Sequence, residues 1–571
     1  MGIKHFFQWF KSNFKSNLTS IKDGETFDCH NIEIDNLLID MNGIFHNSTQ
    51  KVFKYGNYKI KRLIKTKPTP INYKKKQLDV FESVCKSIEH ELNIVKPKKR
   101  LILCVDGPAP ISKQNQQRQR RFRTAMESSA DQIFDSNSIT PGTKFMDYLT
   151  KYIDWFIKNK IQDDPTWRNL ELIFSNEKAV GEGEHKIINY IRKYGNASES
   201  FCISGMDADL IMLSLVTHMP KFYILREETY IDGLAYYAIN IGNTREKLKK
   251  MLYWKSEHFT YNPISAIDDF VFFCFTTGND FLPHIPSIEI IENGIELLIS
   301  IYREVGITHG HITHRNKNGV FIEKNSLEVF LNLIGTYEKE NLERKLENRL
   351  SYFQDEVLEK NATQIENKWI VNIDSYIHDY CVSCFGENYN LEEIALKYIE
   401  GMQWVISYYT SGVTNWKWLY NYHYALPASI LSTYIKKFTY PIYPITNPTT
   451  TFQQLLCVLP PKSSKLLPDG LSHLLSDENS KLKDSCPAEF KIDFAGKRKE
   501  WEGIVLLPMV NFDTVQELYF ENLDKVIASD KKRNIFGKTF KYEKNSAEPY
   551  LFRSYYGNIE NCTTKISLFD L

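Results

Sequence analysis

A chain of 571 residues is long enough for two to four domains, or for one large core with a satellite. Its 42% hydrophobic content, its mean hydropathy of −0.38 and apolar runs as short as Phe270–Phe275 exclude a bilayer-spanning helix and predict a soluble globular protein. The formal net charge of +1 gives no bulk electrostatic sign of a nucleic-acid partner.

The N-terminus, MGIKHFFQWF, lacks a leader with a small-residue cleavage site, and Phe6 breaks the myristoylation pattern. Ten scattered cysteines, several inside apolar runs (Cys104, Cys202, Cys274, Cys457), read as free thiols of a reducing compartment. Cys381 and Cys384 form a lone CxxC near His378. Without a second pair at zinc-finger spacing, it reads as a helical face.

In chain order, Ile32–Asp40 reads as a buried strand ending on an acid, and Leu101–Asp106 as another. Between them, residues 51–78 carry ten Lys/Arg and no Asp/Glu, with Phe53, Tyr55, Tyr58 and Tyr73 interleaved. That stretch is either a solvated loop or a patch contacting a nucleic-acid strand, since cations track phosphates and aromatics stack on bases. After Asp106 comes a Pro-rich turn and then a cation-rich segment to Arg123. Lys113, Gln117, Arg120 and Arg121 fall at i, i+4, i+7 and i+8, one face of a helix. Two guanidinium forks, an ammonium and an amide together suit a phosphate.

Glu171–Ser175 is a third strand, followed by a loop with Glu182 and Glu184 and a helix over Glu184–Tyr194. Phe201–Ser204 is a fourth, leading into Asp207 and Asp209, and Asp280 follows the apolar segment Phe270–Phe275. Strand–helix alternation predicts an α/β unit with a mostly parallel central sheet flanked by helices. Ligands of such sheets gather beyond the carboxyl ends of the strands, where Asp40, Asp106, Glu182, Glu184, Asp207, Asp209 and Asp280 converge. So many acids together require cations among them, and an all-oxygen donor set points to Mg²⁺ or Mn²⁺. Each acid pair is separated by one residue, so an extended segment would turn both carboxylates to one side. A single DxD is also found in aspartyl phosphatases and sugar transferases.

Beyond residue 310 the texture changes. Leu342, Leu346, Leu350, Phe353 and Val357 at helical spacing predict one long amphipathic helix over Tyr337–Leu358, an arm or linker. From Tyr398 the chain is rich in aromatics, mostly core, with Trp416 or Trp418 a candidate to face a base. This divides the chain into a catalytic region at 1–310, a helical linker at 311–395 and a second region at 396–571 that completes the site.

The chain resembles the 5′→3′ exoribonuclease (XRN) family. The resemblance rests on LIDMNGIFHN (Leu38 onward), DGPAPISKQNQQRQRRFR (Asp106 onward), FDSNSITPGT, GEGEHKI, GMDADLIML, LREE and GNDFLPHIP. It continues through EGMQWVISYY, TNWKWLYNYHYALP, FQQLLCVLP and RNIFGK in the family's order. It implies a nuclease core like those of PIN and FEN enzymes, and processive degradation of 5′-monophosphorylated, decapped RNA to 5′-mononucleotides with two divalent ions. By motif, the seven acids would hold metal, and Lys113, Gln117, Arg120 and Arg121 would hold the 5′-phosphate. His46 and Trp416 or Trp418 would stack on the terminal bases, with Pro110 closing the pocket.

Lys4 stands where the family usually has Pro. The C-terminal domains of the large cytoplasmic member, which buttress its catalytic region, have no counterpart in this sequence, and this bears on processivity and stability. The zinc knuckle of many nuclear members is also missing and no strong nuclear-import cluster replaces it, which favours the cytoplasm, with decapping factors as partners and no membrane. The alternatives are a flap-type structure-specific nuclease and a decayed homologue that binds RNA or scaffolds decay factors.

Overall fold

The computed structural model describes residues 3–58, 72–128, 133–228, 234–348, 353–545 and 548–571. Residues 59–71 of the basic stretch at 51–78 therefore lie outside the described residues.

A nine-stranded sheet organises the molecule. Its strands are β1 (Leu18–Lys22), β2 (Asn36–Asp40), β3 (Arg100–Cys104), β4 (Glu171–Ser175), β5 (Phe201–Ser204), β6 (Phe222–Glu227), β7 (Leu234–Asn240), β8 (Thr539–Lys544) and β9 (Thr564–Phe569), in the order β1-β7-β6-β5-β2-β3-β4-β8-β9. The five strands β6-β5-β2-β3-β4 are parallel, and both edges are antiparallel. The near-continuous apolar runs of β2 to β5 follow from burial on both faces of a parallel sheet. Alternate residues serve opposite layers: Leu38, Ile102, Ile173 and Ile203 face one core, and Leu37, Leu101, Leu172 and Cys202 the other.

The helices that bear on the site are α1 (Met41–Phe53), α2 (Tyr73–Val95), α3 (Ile111–Glu127), α4 (Lys144–Asp163), α5 (Gly183–Tyr194), α6 (Asp209–Leu215), α7 (Pro263–Cys274), α8 (Leu391–Ser411) and α9 (Thr451–Val458). Side chains of α5 to α8 fill the first core, and those of α1, α2 and α4 the second. Strand β2 is the switch point: β3 and β4 follow on one side, β5 and β6 on the other. The crevice at such a point lies beyond the carboxyl ends of β2 and β5. Asp40 and Asp207 stand there.

Three expectations are corrected. Strand β2 starts at Asn36 and not at Ile32, because Asp35 is engaged with Ser200: its backbone N donates to Ser200 Oγ at 2.8 Å and its Oδ2 accepts from Ser200 N at 3.0 Å. The long helix at 337–358 is absent as such. The described residues form helices at Glu338–Asn348 and Glu356–Lys360, the second started afresh where Asp355 Oδ1 accepts from Leu358 N at 3.1 Å. Phe353, which helical spacing had placed on the same stripe, stacks instead on Phe494 at 4.9 Å. Nor do residues 311–334 form an arm. Ile312, Val320, Ile322, Leu327 and Phe330 are buried in the same core as the sheet, and Ile322 N donates to Gln403 of α8 at 3.0 Å.

The last part of the chain returns to the first. Phe540 pairs with Phe174 of β4, and β9 then covers β8. A third core joins Phe122 of α3 to Phe452, Leu455 and Leu456 of α9.

Candidate active site

Each acid is placed by the end of an element. Asp40 closes β2 and caps α1, its Oδ1 accepting from Asn42 N at 3.5 Å. Asp106, just past β3, is held on both oxygens: Asn42 Nδ2 donates to Oδ2 at 2.6 Å and Gly183 N to Oδ1 at 2.7 Å. Asn42 also accepts from Asp106 N at 3.1 Å, so one amide locks the acid's backbone and side chain. Gly183 is required by space. A Cβ there would lie 2.6 Å from Asp40 Oδ1 and 3.4 Å from Asp106 Oδ1.

The acid pairs sit at helix starts, which corrects the extended-segment expectation. Glu182 is the N-cap of α5 with Glu184 in its first turn, and Asp209 opens α6. Helix N-termini favour carboxylates through the macrodipole. A turn of helix brings carboxylates together as an extended strand would: ligand atoms of Glu184, Asp207 and Asp209 lie within 4.8 Å of one another, as do those of Glu182, Glu184 and His185. Asp280 follows Gly278, whose φ of 87° needs glycine, in a turn closed by Asn279 Oδ1 accepting from Phe281 N and Leu282 N at 2.8 and 2.9 Å.

The electrostatics are those of crowded, buried anions. Burial, then Asp106 and Asp207, raise the Asp40 carboxyl well above its usual range, and burial with Asp209 does the same to Glu184. Burial, Asp207 and Asp280 push Asp209 up to about 7. Asp280 shifts the other way: burial would raise it, but Lys113 holds it below the carboxylate range. Glu184 Oε2 and Asp209 Oδ1 are buried with no hydrogen-bond partner. Orphaned anionic oxygens are costly unless a cation completes them. Hard oxygen donors in this arrangement fit a divalent ion of the Mg²⁺ or Mn²⁺ type.

Lys113 stands apart from its expected partners. Its Nζ lies 2.6 Å from Glu182 Oε2, 2.8 Å from Asp280 Oδ2 and 3.8 Å from Glu184 Oε1. Burial would lower this ammonium, but Asp280, Glu182 and Glu184 raise it well above its usual value. It serves as counter-ion to the acids at the point where α3 meets them.

The rest of the basic face turns to a cavity. Gln117 and Arg120 line a cavity of about 170 Å³ together with Asp40, Asp106, Lys113, Glu182, Glu184, Asp207 and His46. Arg121 lies behind them, buried, its Nη1 donating to Gln117 Oε1 at 3.1 Å. Burial, then Arg120, push its guanidinium down to about 9, the mark of a cation short of anions. Burial, Arg120 and Arg121 push His46 down to about 3, so it faces the cavity as a neutral ring.

The remaining three candidates, Pro110, Trp416 and Trp418, have different surroundings. Pro110 is buried as the N-cap of α3 and shapes the turn, its carbonyl accepting from Gln114 N at 2.9 Å. Trp418 is 2% exposed and stacked on Trp404 at 4.8 Å, so its face belongs to the core. Trp416 is half-buried, and its carbonyl accepts from Ile111 N at 2.9 Å, which ties it to the first turn of α3.

Sequence reasoning missed Asn42, Gly183 and Tyr408, whose hydroxyl donates to Glu182 Oε1 at 2.8 Å. It also grouped Arg118 with the basic segment. Arg118 is 1% exposed and donates to the carbonyls of Pro508, at 2.9 Å, and of Ser485. Asn42 and Gly183 had a sequence signal, sitting between or beside the acids. Tyr408 had none: it and Glu182 are 226 positions apart, and only the fold brings them into contact.

Residues 1–228 match the family model described as XRN 5′-3′ exonuclease N-terminus, and residues 260–385 and 376–567 match the one described as Xrn1 helical domain. The chain is 29% identical to 5′-3′ exoribonuclease 1 of Saccharomyces cerevisiae over 98% of its own length and 46% of that protein's. It is 29% identical to the 5′-3′ exoribonuclease 2 homolog of Drosophila melanogaster, over 96% of this chain and 74% of the relative. With human 5′-3′ exoribonuclease 1 it shares 28% identity over its whole length and 37% of the relative's. The chain thus spans less than half the length of two of these three relatives. The family models together match most of the chain, and the chain belongs to the XRN 5′-3′ exonuclease family.

Proposed function

We propose that this chain is a divalent-metal-dependent, processive 5′→3′ exoribonuclease that removes 5′-mononucleotides from RNA with a 5′-monophosphate. The observation that carries the reading is a single cavity lined both by Asp40, Asp106, Glu182, Glu184 and Asp207 and by Gln117, Arg120 and His46. Gln117 and Arg120, backed by Arg121, offer an amide and guanidinium donors to a terminal phosphate. His46, kept neutral, offers a flat face to a base, and Trp416 is the tryptophan of the pair with surface to spare.

Two divalent ions held by Asp40, Asp106, Glu182, Glu184, Asp207, Asp209 and Asp280 would activate water and stabilise the leaving oxygen of the phosphodiester. The protein's own share is to fix the distance between the 5′-phosphate and the scissile bond. The rigid helix α3 does this, since it carries the phosphate donors and starts beside Asp106. A cavity of this size, with the Arg120 guanidinium in its lining, supports selection of a monophosphate against capped or triphosphorylated ends. The ten free cysteines support a reducing compartment such as the cytoplasm, where decapping factors would supply the substrate. Among the described residues, no helix is long and apolar enough to cross a membrane.

The test is a time course on one RNA carrying 5′-hydroxyl, monophosphate, triphosphate or cap, with Mg²⁺, Mn²⁺ or EDTA. Metal-dependent loss of the monophosphate form alone, with mononucleotide product, is expected. Equal decay of all four forms, or decay in EDTA, would refute the reading.

A further inference from the structure

Glu182 is gripped by protein on both of its oxygens. Tyr408 donates its hydroxyl to Oε1 at 2.8 Å, and Lys113 places its ammonium 2.6 Å from Oε2. Tyr408 is itself immobilised. It is 2% exposed, its ring is stacked on His185 at 3.6 Å and 4° from parallel, and Trp404 and Phe281 pack against it at 5.2 and 5.7 Å. A phenol hydroxyl facing a carboxylate oxygen is the donor of the pair. His185 follows Glu184 on α5, so the stack also fixes the helix turn that carries both glutamates.

A carboxylate with a donor on each oxygen cannot swing to present both oxygens to one ion. We propose that Tyr408 is a positioning residue that makes Glu182 a one-oxygen ligand, and that the site thereby favours small octahedral ions, Mg²⁺ and Mn²⁺, over Ca²⁺. The physical basis is coordination number. Ca²⁺ takes more oxygens, readily as bidentate carboxylates in flexible geometry, whereas Mg²⁺ and its like demand six ligands near octahedral positions. Partners that orient a metal ligand change metal affinity by about 10–100-fold when removed.

The inference rests on the reading of these acids as a divalent-cation site, and the experiment separates the two. Mn²⁺ binding to the purified, EDTA-treated protein is followed by electron paramagnetic resonance, and Ca²⁺ binding by competition against Mn²⁺. Both are done on wild type and on Tyr408→Phe, which keeps the ring and its stack on His185. The variant is expected to bind Mn²⁺ about 10-fold more weakly while Ca²⁺ affinity changes little, so the preference for Mn²⁺ falls. An unchanged Mn²⁺/Ca²⁺ preference overturns the inference, whether neither affinity moves or both fall by the same factor. Wild type that binds no Mn²⁺ overturns the cation-site reading and the inference with it. Should Tyr408→Phe fail to fold, Lys113→Met frees the other oxygen and decides the matter by the same ratio.

Discussion

Burial and the neighbouring Asp207 and Asp280 push the Asp209 carboxyl up to about 7, well above the roughly 3.9 of an unfolded chain. A folded-state acid with a raised pKa contributes stability below about pH 4 that is lost as pH rises through 7. The metal-free protein should therefore lose thermal stability across that window, and Mn²⁺ should raise the melting temperature more at pH 8 than at pH 5. Asp209→Asn should raise the metal-free melting temperature at pH 8 and lower turnover by about 100-fold or more. Melting curves with and without EDTA, beside single-turnover assays, check both. Arg120→Ala removes a charged donor from the cavity and should weaken the preference for 5′-phosphate over 5′-hydroxyl RNA by about 10-fold or more, read from competing substrates.

Four cations of helix α3 divide three tasks. Lys113 neutralises acids, Arg120 lines the cavity with Arg121 behind it on Gln117, and Arg118 anchors the helix to the carbonyls of Ser485 and Pro508. Arg118→Leu should lower stability by about 2–3 kcal/mol, the cost of orphaned buried groups, while 5′-end discrimination is preserved. Thermal melts and the competition assay distinguish it from Arg120→Ala. The start of α5 is equally specialised. Gly183→Ala forces Asp40 and Asp106 apart and should cost about 100-fold in rate with an unchanged far-UV circular dichroism spectrum.

At the scale of the molecule, β8 and β9 cover the edge of β4. A chain ended after Lys538 would leave that edge unpaired, beside apolar residues such as Phe174 and Ile173. Exposed edges of this kind template association, so the truncated protein should aggregate at concentrations where the full chain elutes as a single species in size-exclusion chromatography. The second region reaches the site by the same logic. Tyr408 and Trp416 touch Glu182 and the start of α3 from residues far along the chain.

The amino-acid sequence alone carried the parallel sheet and its acids. Buried strands announce themselves by apolar runs, and Asp40, Asp106, Asp207 and Asp209 follow their strands within a few residues, so local pattern suffices. It also carried the helical face of Gln117, Arg120 and Arg121, because helical period is a local property. What it could not carry was which member of that face meets the acids, since Lys113 pairs with Asp280 across 167 positions. The long helix expected at 337–358 failed for a related reason: Phe353 finds Phe494, and a distant ring outweighs local periodicity. Tertiary packing alone decided that Trp418 lies in the core while Trp416 reaches the surface, because two indoles of equal hydrophobicity differ only in what surrounds them.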